Sequence, residues 1–137
     1  MKAVIQQEPT GCGIAASAAL AGVTYDEARA VASSLGIQAA DQTLWSETHH
    51  VRCLLDAMGI AVSPVEQPFE SWDALPDRAL LSIKWRREAG RQFWHWVVFV
   101  RDEQGARVLD SKKALVNNTR RDFGRMRPKW SIAVLDQ

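Results

Sequence analysis

Apolar residues recur at helical spacing in three successive stretches of the first part of the chain. Residues 12–21 are rich in alanine, a strong helix former, and Gly22 is suited to end that helix. Thr24 and Glu27 have the spacing of a capping box at the start of a second helix. A third helix is predicted within residues 46–59, because apolar side chains form a stripe there. That stripe consists of Val51, Leu54, Leu55 and Met58.

The remaining chain has short β-branched and aromatic stretches that are typical of strands. FWHWVVFV, residues 93–100, predicts the strongest strand, and residues 101–105 predict a turn after it. ALLSIKW, residues 79–85, predicts a central strand. Residues 60–66 contain a proline, which favours an edge strand. Two further strands are predicted at residues 106–111 and 130–136.

Helices followed by an antiparallel sheet are the order expected of an α+β protein. The length of 137 residues suits one domain, residues 1–137, that is large enough to bury a core without disulfide staples. The balance of 47% hydrophobic and 24% charged residues is typical of a globular protein.

The net charge of +1 conceals a division along the chain. Residues 1–78 carry four basic and ten acidic side chains, whereas residues 79–137 carry thirteen basic and six acidic ones. A basic half is typical of a surface for acidic peptides or nucleic acid. A basic half can also form a solvated face that meets the acidic half within one fold. We favour this second interpretation.

The cysteines and the first residues indicate the compartment. Two cysteines are too few for a disulfide scaffold, so free thiols in a reducing compartment are expected. The start of the chain does not have the pattern of a secretory signal peptide, and the apolar run at residues 12–21 is about half of a membrane span. We therefore expect a cytoplasmic protein without a membrane span.

Cys12 stands between Gly11 and Gly13 at the predicted start of the first helix. Unsatisfied N–H groups and the helix dipole favour a thiolate at such a position, and the thiolate is the nucleophilic form. The glycines allow a tight chain entry and the close approach of a substrate backbone. A small buried cysteine is the structural alternative, so a nucleophile needs further partners.

His95 is the candidate base because it lies in the strongest predicted strand, between two tryptophans. A catalytic histidine also needs an acceptor that orients its ring. The turn at residues 101–105 folds this strand back and brings Asp110 opposite His95 or one pair along. A core histidine bonded to a backbone carbonyl is the structural alternative.

Gln6 is the candidate oxyanion donor, because amide N–H groups can stabilise the negative oxygen that develops in acyl transfer. It precedes Cys12 by six residues in an extended run, and its side chain could turn back beside the nucleophile. The backbone N–H of Cys12 would be the second donor. Gln7 is the adjacent competitor for the same role.

The stretches QQEPTGCGIAA, HWVVF and VLDS together resemble papain-like cysteine peptidases of the bacteriocin (double-glycine leader) processing type. The resemblance spans residues 5–111 and implies a papain-like fold with helices packed on an antiparallel sheet. It implies Gln6 as oxyanion residue, Cys12 as nucleophile, His95 as base and Asp110 as orienting acid. Ser111 departs from the family pattern, in which proline is common after the aspartate. The best-known members are fused to an export ATPase, which this sequence lacks.

These residues predict a thiol peptidase that acts on a peptide or protein substrate, with glycine near the cut as the expectation from the small side chains around Cys12. The alternatives are a thiol acyl transferase, an inactive papain-like binding module, and a nucleic-acid-binding protein that uses the basic half. The arginines are not interleaved with aromatics in a recognition motif, which disfavours the last.

His49 and Cys53 lie four residues apart on one predicted helix face. That spacing could hold a metal, but two ligands do not make a site, so we expect no metal there. We also expect no cofactor.

Overall fold

The computed structural model describes residues 1–135, and the bounds that follow refer to that part of the chain. The helices are α1 (Cys12–Ala21), α2 (Tyr25–Ser34), α3 (His49–Ala57) and the short α4 (Phe123–Met126), with a 3₁₀ turn at Gln42–Trp45. The strands are β1 (Gln67–Pro68), β2 (Arg78–Glu88), β3 (Arg91–Asp102), β4 (Gly105–Leu109), β5 (Thr119–Arg120) and β6 (Trp130–Ala133).

Within residues 1–135 the strands form one antiparallel sheet in the order β1-β6-β2-β3-β4-β5. The long hairpin of β2 and β3 lies at its centre and is closed by Ala89 and Gly90. Both residues have positive φ, as a type I′ turn requires. A β-bulge interrupts this hairpin, because two residues of β2 stand between the pairs Ile83–His95 and Arg86–Phe93.

Strand β3 is buried from both sides, which accounts for its almost unbroken apolar sequence. Trp94, Trp96 and Val98 belong to the core cluster that includes residues of α1. Val97 and Phe99 belong to a second cluster, which contains residues of the 69–75 loop and of α4. Helix α1 is buried from Cys12 to Leu20, and its small side chains let it lie between β3 and the helices α2 and α3.

The three predicted helices are confirmed. Helix α1 has the predicted bounds and is followed by Gly22 in the left-handed conformation, with φ of 71°. Helix α2 begins with the predicted capping box, in which the Thr24 hydroxyl accepts from the Glu27 backbone N–H. Helix α3 falls within the predicted stretch, and its residues Val51, Leu54 and Leu55 are buried.

The strand predictions are confirmed for β2, β3 and β4 and need correction elsewhere. Residues 60–66 form no strand, and Val62 makes only an isolated bridge to Val134. The proline of that stretch cannot donate to a ladder, and regular pairing begins only at β1. Strand β6 is shorter than the predicted range 130–136, and position 136 lies outside the described residues. The short elements β5 and α4 were not predicted.

The structure therefore confirms mixed helices and an antiparallel sheet, as an α+β protein has. None of the helices in residues 1–135 has the length and the apolar character that a bilayer crossing requires.

Candidate functional site

Cys12 is the first residue of α1, with Gly11 at the N-cap, as the sequence predicts. Its side chain is completely buried, with 0% of the residue exposed. The backbone N–H of Trp96 donates to its Sγ over 3.4 Å. The sulfur therefore lies between the N-terminus of α1 and the β3 backbone, where N–H groups stabilise negative charge on it.

The two glycines that flank Cys12 have packing reasons for being glycine. A methyl group at Gly11 would overlap the hydroxyl of Tyr25, and one at Gly13 would come within 3.2 Å of the Trp96 ring. We expected these glycines to admit a substrate backbone. The structure instead shows that they let α1 approach Tyr25 and Trp96 closely.

His95 and Asp110 form a direct hydrogen bond, with 2.7 Å between Nε2 and Oδ1. The aspartate follows β4 directly and is not part of it. The β3–β4 register ends at Val98–Leu109, so position 110 continues toward Val97 and not toward His95. Because the turn is tighter than we expected, Asp110 is a diagonal neighbour that reaches along β3 to the ring.

Asp110 is fully buried and its carboxylate is saturated with donors. Its Oδ1 accepts from His95 and from the Lys112 backbone N–H at 3.1 Å, and its Oδ2 accepts from Arg120 Nη1 at 2.9 Å. Burial alone would raise the pKa of this carboxyl. The bonds to His95, Arg120 and the Lys112 N–H outweigh burial and lower the pKa to about 2. Asp110 is therefore a fixed anion at neutral pH.

The His95 ring is mostly buried, with 14% of its side chain exposed. Burial by itself would lower its pKa. The hydrogen bond to Asp110, the bond to Cys12 and the charges of both raise the pKa to about 9. At neutral pH the ring is therefore an imidazolium, with Nε2 donating to Asp110. Nδ1 is the nitrogen left for Cys12.

The structure thus brings Cys12, His95 and Asp110 together, although they lie far apart in sequence. The Cys12 sulfur accepts from the backbone N–H of Trp96, the residue next to His95, and its interaction with the imidazole helps to raise the pKa of the ring. The carboxylate holds the opposite side of the ring. This is the order of groups that an activated thiol nucleophile needs: nucleophile, base and orienting acceptor.

Gln6 is near the site but is not arranged as an oxyanion donor in this conformation. Its side-chain amide donates to the carbonyl oxygens of Glu8 and Pro9, each at 3.0 Å. Its Oε1 accepts from the Ser111 hydroxyl at 2.7 Å, and its backbone N–H donates to the Ser111 carbonyl. Gln7 is exposed. The expectation that the Gln6 amide points beside Cys12 does not hold in this state, because nearby carbonyls accept its hydrogens.

A cavity of about 420 Å³ opens beside His95. His95, Gln6 and the following residues up to Pro9 form part of its wall, and Cys12 does not line it. Trp45 and Trp94 give the cavity an apolar side. The volume is within the range of small-ligand sites, and the imidazole is the reactive group it exposes.

Arg120 was not identified from the sequence, and Ser111 was named there without its contact to Gln6. Arg120 binds both Asp110 and Asp122, and this ion-pair network raises the pKa of Arg120. Ser111 joins the strand end to Gln6 at the position where the resembled family often has proline. Arg120 is one of several basic residues near the end of the chain, and no local signal separates it from its neighbour Arg121.

The other two histidines lie at the start of α3, away from this arrangement. His49 Nε2 is 3.6 Å from Cys53 Sγ, and His50 Nε2 is 3.0 Å from the Thr43 hydroxyl. In the part of the chain that the structure describes, no group of three or more His, Cys, Asp or Glu side chains could hold a metal ion.

No protein-family model matches this chain, and comparison with curated proteins and with solved structures gives no significant match.

Proposed function

We propose that this protein is a thiol peptidase in which Cys12 is the nucleophile, His95 the acid and base, and Asp110 the orienting carboxylate. The observation that carries the proposal is the buried hydrogen bond between Asp110 and the His95 ring, together with the Cys12 sulfur bonded to the backbone of the adjacent Trp96. The resemblance to papain-like cysteine peptidases supports the same assignment. The contacts suit a resting thiolate–imidazolium pair, because Asp110 is anionic and His95 protonated at neutral pH.

The reaction proceeds in two balanced steps. The Cys12 thiolate attacks the carbonyl carbon of the scissile peptide bond and forms a C–S bond. His95 gives its proton to the leaving nitrogen as the C–N bond breaks, which leaves a thioester and a free amine. The neutral imidazole then takes a proton from water, whose oxygen attacks the thioester. The C–S bond breaks and releases the carboxylic acid product. This step restores the thiolate–imidazolium pair.

Gln6 supplies the oxyanion donor after a change of its side chain. Turning its amide breaks three hydrogen bonds, which cost about 1.5 to 4.5 kcal/mol together at the usual net value. One oxyanion donor contributes about 3 to 4 kcal/mol in the transition state. The two free energies are similar in size, so the exchange has a small net cost. The hydrogen bond from the Gln6 backbone N–H to the Ser111 carbonyl keeps the Gln6 backbone in place while the amide turns.

Substrate access requires a movement of the cavity wall, because Cys12 is fully buried. The segment 6–9 belongs to that wall and directly precedes α1. Glu8 joins this segment to α2 through hydrogen bonds to Tyr25 and Arg29. A peptide can displace the Gln6 amide from the Glu8 and Pro9 carbonyls. This displacement moves residues 6–9, the part of the wall that is closest in sequence to Cys12.

The test is steady-state cleavage of a peptide library by the unmodified protein and by Cys12→Ala. We expect Cys12→Ala and His95→Ala to abolish turnover with unchanged circular dichroism, since the two groups act as one unit. Gln6→Ala should lower kcat by roughly 100-fold with little change in KM. Gln7→Ala is the matched control for the oxyanion role. Gln7 is an exposed residue of the same cavity wall, so KM can change but kcat should be unchanged. Full activity in Cys12→Ala would refute the proposal.

A further inference from the structure

The wall of the cavity beside His95 is strongly cationic. Lys84, Arg86, Lys112 and Lys113 line it, and Glu8 is the one acidic side chain among its lining residues. The Glu8 carboxylate is already occupied by Tyr25 and Arg29. The cavity therefore presents positive charge to a ligand, and its own carboxylate does not offset that charge.

The lysines of this wall lack carboxylate partners. Within residues 1–135, no Asp or Glu oxygen lies at ion-pair distance from Lys84, Lys112 or Lys113. Asp110 is close to Lys84, but both of its oxygens are held by other donors. Burial and the neighbouring ammonium group of Lys112 lower the pKa of Lys84, so two like charges face the same space.

Lys84 is held toward this space by strained backbone. It lies in the β-bulge of β2 directly after Ile83, the residue paired with His95, and its φ is 55°. A lysine with positive φ is uncommon and costs free energy, and such residues cluster at ligand sites. The bulge redirects its side chain out of the regular pleat, beside the catalytic imidazole.

Two indole N–H groups belong to residues on the apolar side of the cavity. Those of Trp45 and Trp94 are buried without an acceptor in the described part of the chain. Because both nitrogens are buried, a ligand oxygen in this cavity meets the ammonium groups and no competing free carboxylate.

We infer that the cavity selects peptides that carry a carboxylate near the scissile bond, bound by Lys84 and Lys112. This inference rests on the proposed peptidase function and names its substrate class. Either an acidic side chain or a free C-terminus supplies the carboxylate. A carboxylate between the two ammonium groups relieves their mutual repulsion through charge-assisted hydrogen bonds.

Binding is measured separately from turnover, with the inactive Cys12→Ala protein and its tryptophan fluorescence. The probes are three libraries of acetylated octapeptides with two central glycines. The first carries Glu beside the glycines and is amidated, the second carries Gln there and is amidated, and the third carries Gln and a free C-terminus. We expect at least tenfold tighter binding of the first or the third library than of the second. The library that binds identifies the source of the carboxylate.

The variant pair is matched in net charge. Lys84→Gln with Lys112→Gln should abolish the preference for the carboxylate and leave binding of the Gln library unchanged. Lys2→Gln with Arg121→Gln removes the same charge from residues that do not line the cavity, and should change binding less than twofold. Raising the salt concentration should weaken the carboxylate preference.

Equal binding of all three libraries, or no binding of any, would overturn the inference. So would a preference that survives in the double lysine variant. These results are distinct from failure of the proposed function. If the unmodified protein cleaves the Glu and Gln libraries equally, the peptidase proposal stands and the carboxylate site is refuted. If the Cys12→Ala protein prefers carboxylates but the unmodified protein cleaves nothing, the carboxylate site stands and the peptidase proposal is refuted.

Discussion

Replacing Asp110 with asparagine tests the electrostatic core of the site. The side chains have nearly the same shape, and the amide oxygen can still accept from His95 Nε2. The substitution removes the negative charge and leaves the burial of the ring unchanged. We therefore expect the His95 pKa to fall well below 9, because burial is then opposed only by the contribution of Cys12.

The magnitude follows from the geometry. Opposite charges 2.7 Å apart attract by about 6 kcal/mol at an effective dielectric constant of 20. Burial of the imidazolium opposes this attraction. A pKa of about 9 against an ordinary value of 6.5 corresponds to a net stabilisation of about 3 kcal/mol. Because the folded pKa is raised, this stabilisation is complete below pH 6.5 and is lost as the pH rises through 9.

The assay is NMR titration of the His95 ring together with urea unfolding at several pH values. In the unmodified protein the unfolding free energy should fall between pH 6.5 and 9 by up to about 3 kcal/mol from this group. In Asp110→Asn that contribution should be clearly smaller, because only Cys12 then raises the His95 pKa. Asp122→Asn is the control, because it removes the other carboxylate partner of Arg120 and does not contact the ring.

Three results would refute this reasoning. A His95 midpoint near 6.5 in the unmodified protein would mean that the carboxylate does not hold the imidazolium. A midpoint near 9 that survives in Asp110→Asn would mean that another group supplies the stabilisation. Equal effects of Asp110→Asn and Asp122→Asn would show that net charge matters and that the direct hydrogen bond does not.

Two further predictions concern packing and the outer ion pair. Gly11→Ala should lower the unfolding free energy by about 1 to 3 kcal/mol in urea titration, because its methyl group overlaps the Tyr25 hydroxyl. Gly124→Ala is the control: its methyl group meets no atom within 4 Å, and the unfolding free energy should change by less than about 1 kcal/mol. A stable Gly11→Ala protein would contradict the close approach of α1 to Tyr25. Arg120→Gln should lower kcat several-fold, because the Asp110 carboxylate loses the donor that holds it in place. Arg121→Gln is the control and should leave kcat unchanged. Equal effects of the two variants would count against a positioning role of Arg120.

The sequence determined the elements whose signals are local. Alanine-rich residues 12–21 form α1 because propensity and the following Gly22 agree, and the Thr24 capping box starts α2 for reasons contained within four residues. Strand β3 follows from its β-branched and aromatic composition. The strand predicted at residues 60–66 was wrong, although the composition of that stretch is typical of a strand. Pairing at that edge of the sheet depends on the partner residues that β6 provides, and local composition does not indicate them.

The candidate site was partly determined by sequence, because a hairpin has few possible registers. The turn after β3 had to bring Asp110 near His95, and the structure shifts the pair to a diagonal contact. The position of Cys12 at a helix start is likewise a local property.

Only the tertiary structure decided what surrounds these residues. Arg120 reaches Asp110 because β5 pairs with β4, and nothing in the run of basic residues marks that arginine. Lys84 and Lys112 meet because a bulge in β2 and the chain after Asp110 border one cavity. The amide hydrogens of Gln6 are held by carbonyls of its own segment. Side-chain contacts between distant segments depend on register, bulges and loop closure. Many residues determine these features together, so no single position of the sequence indicates them.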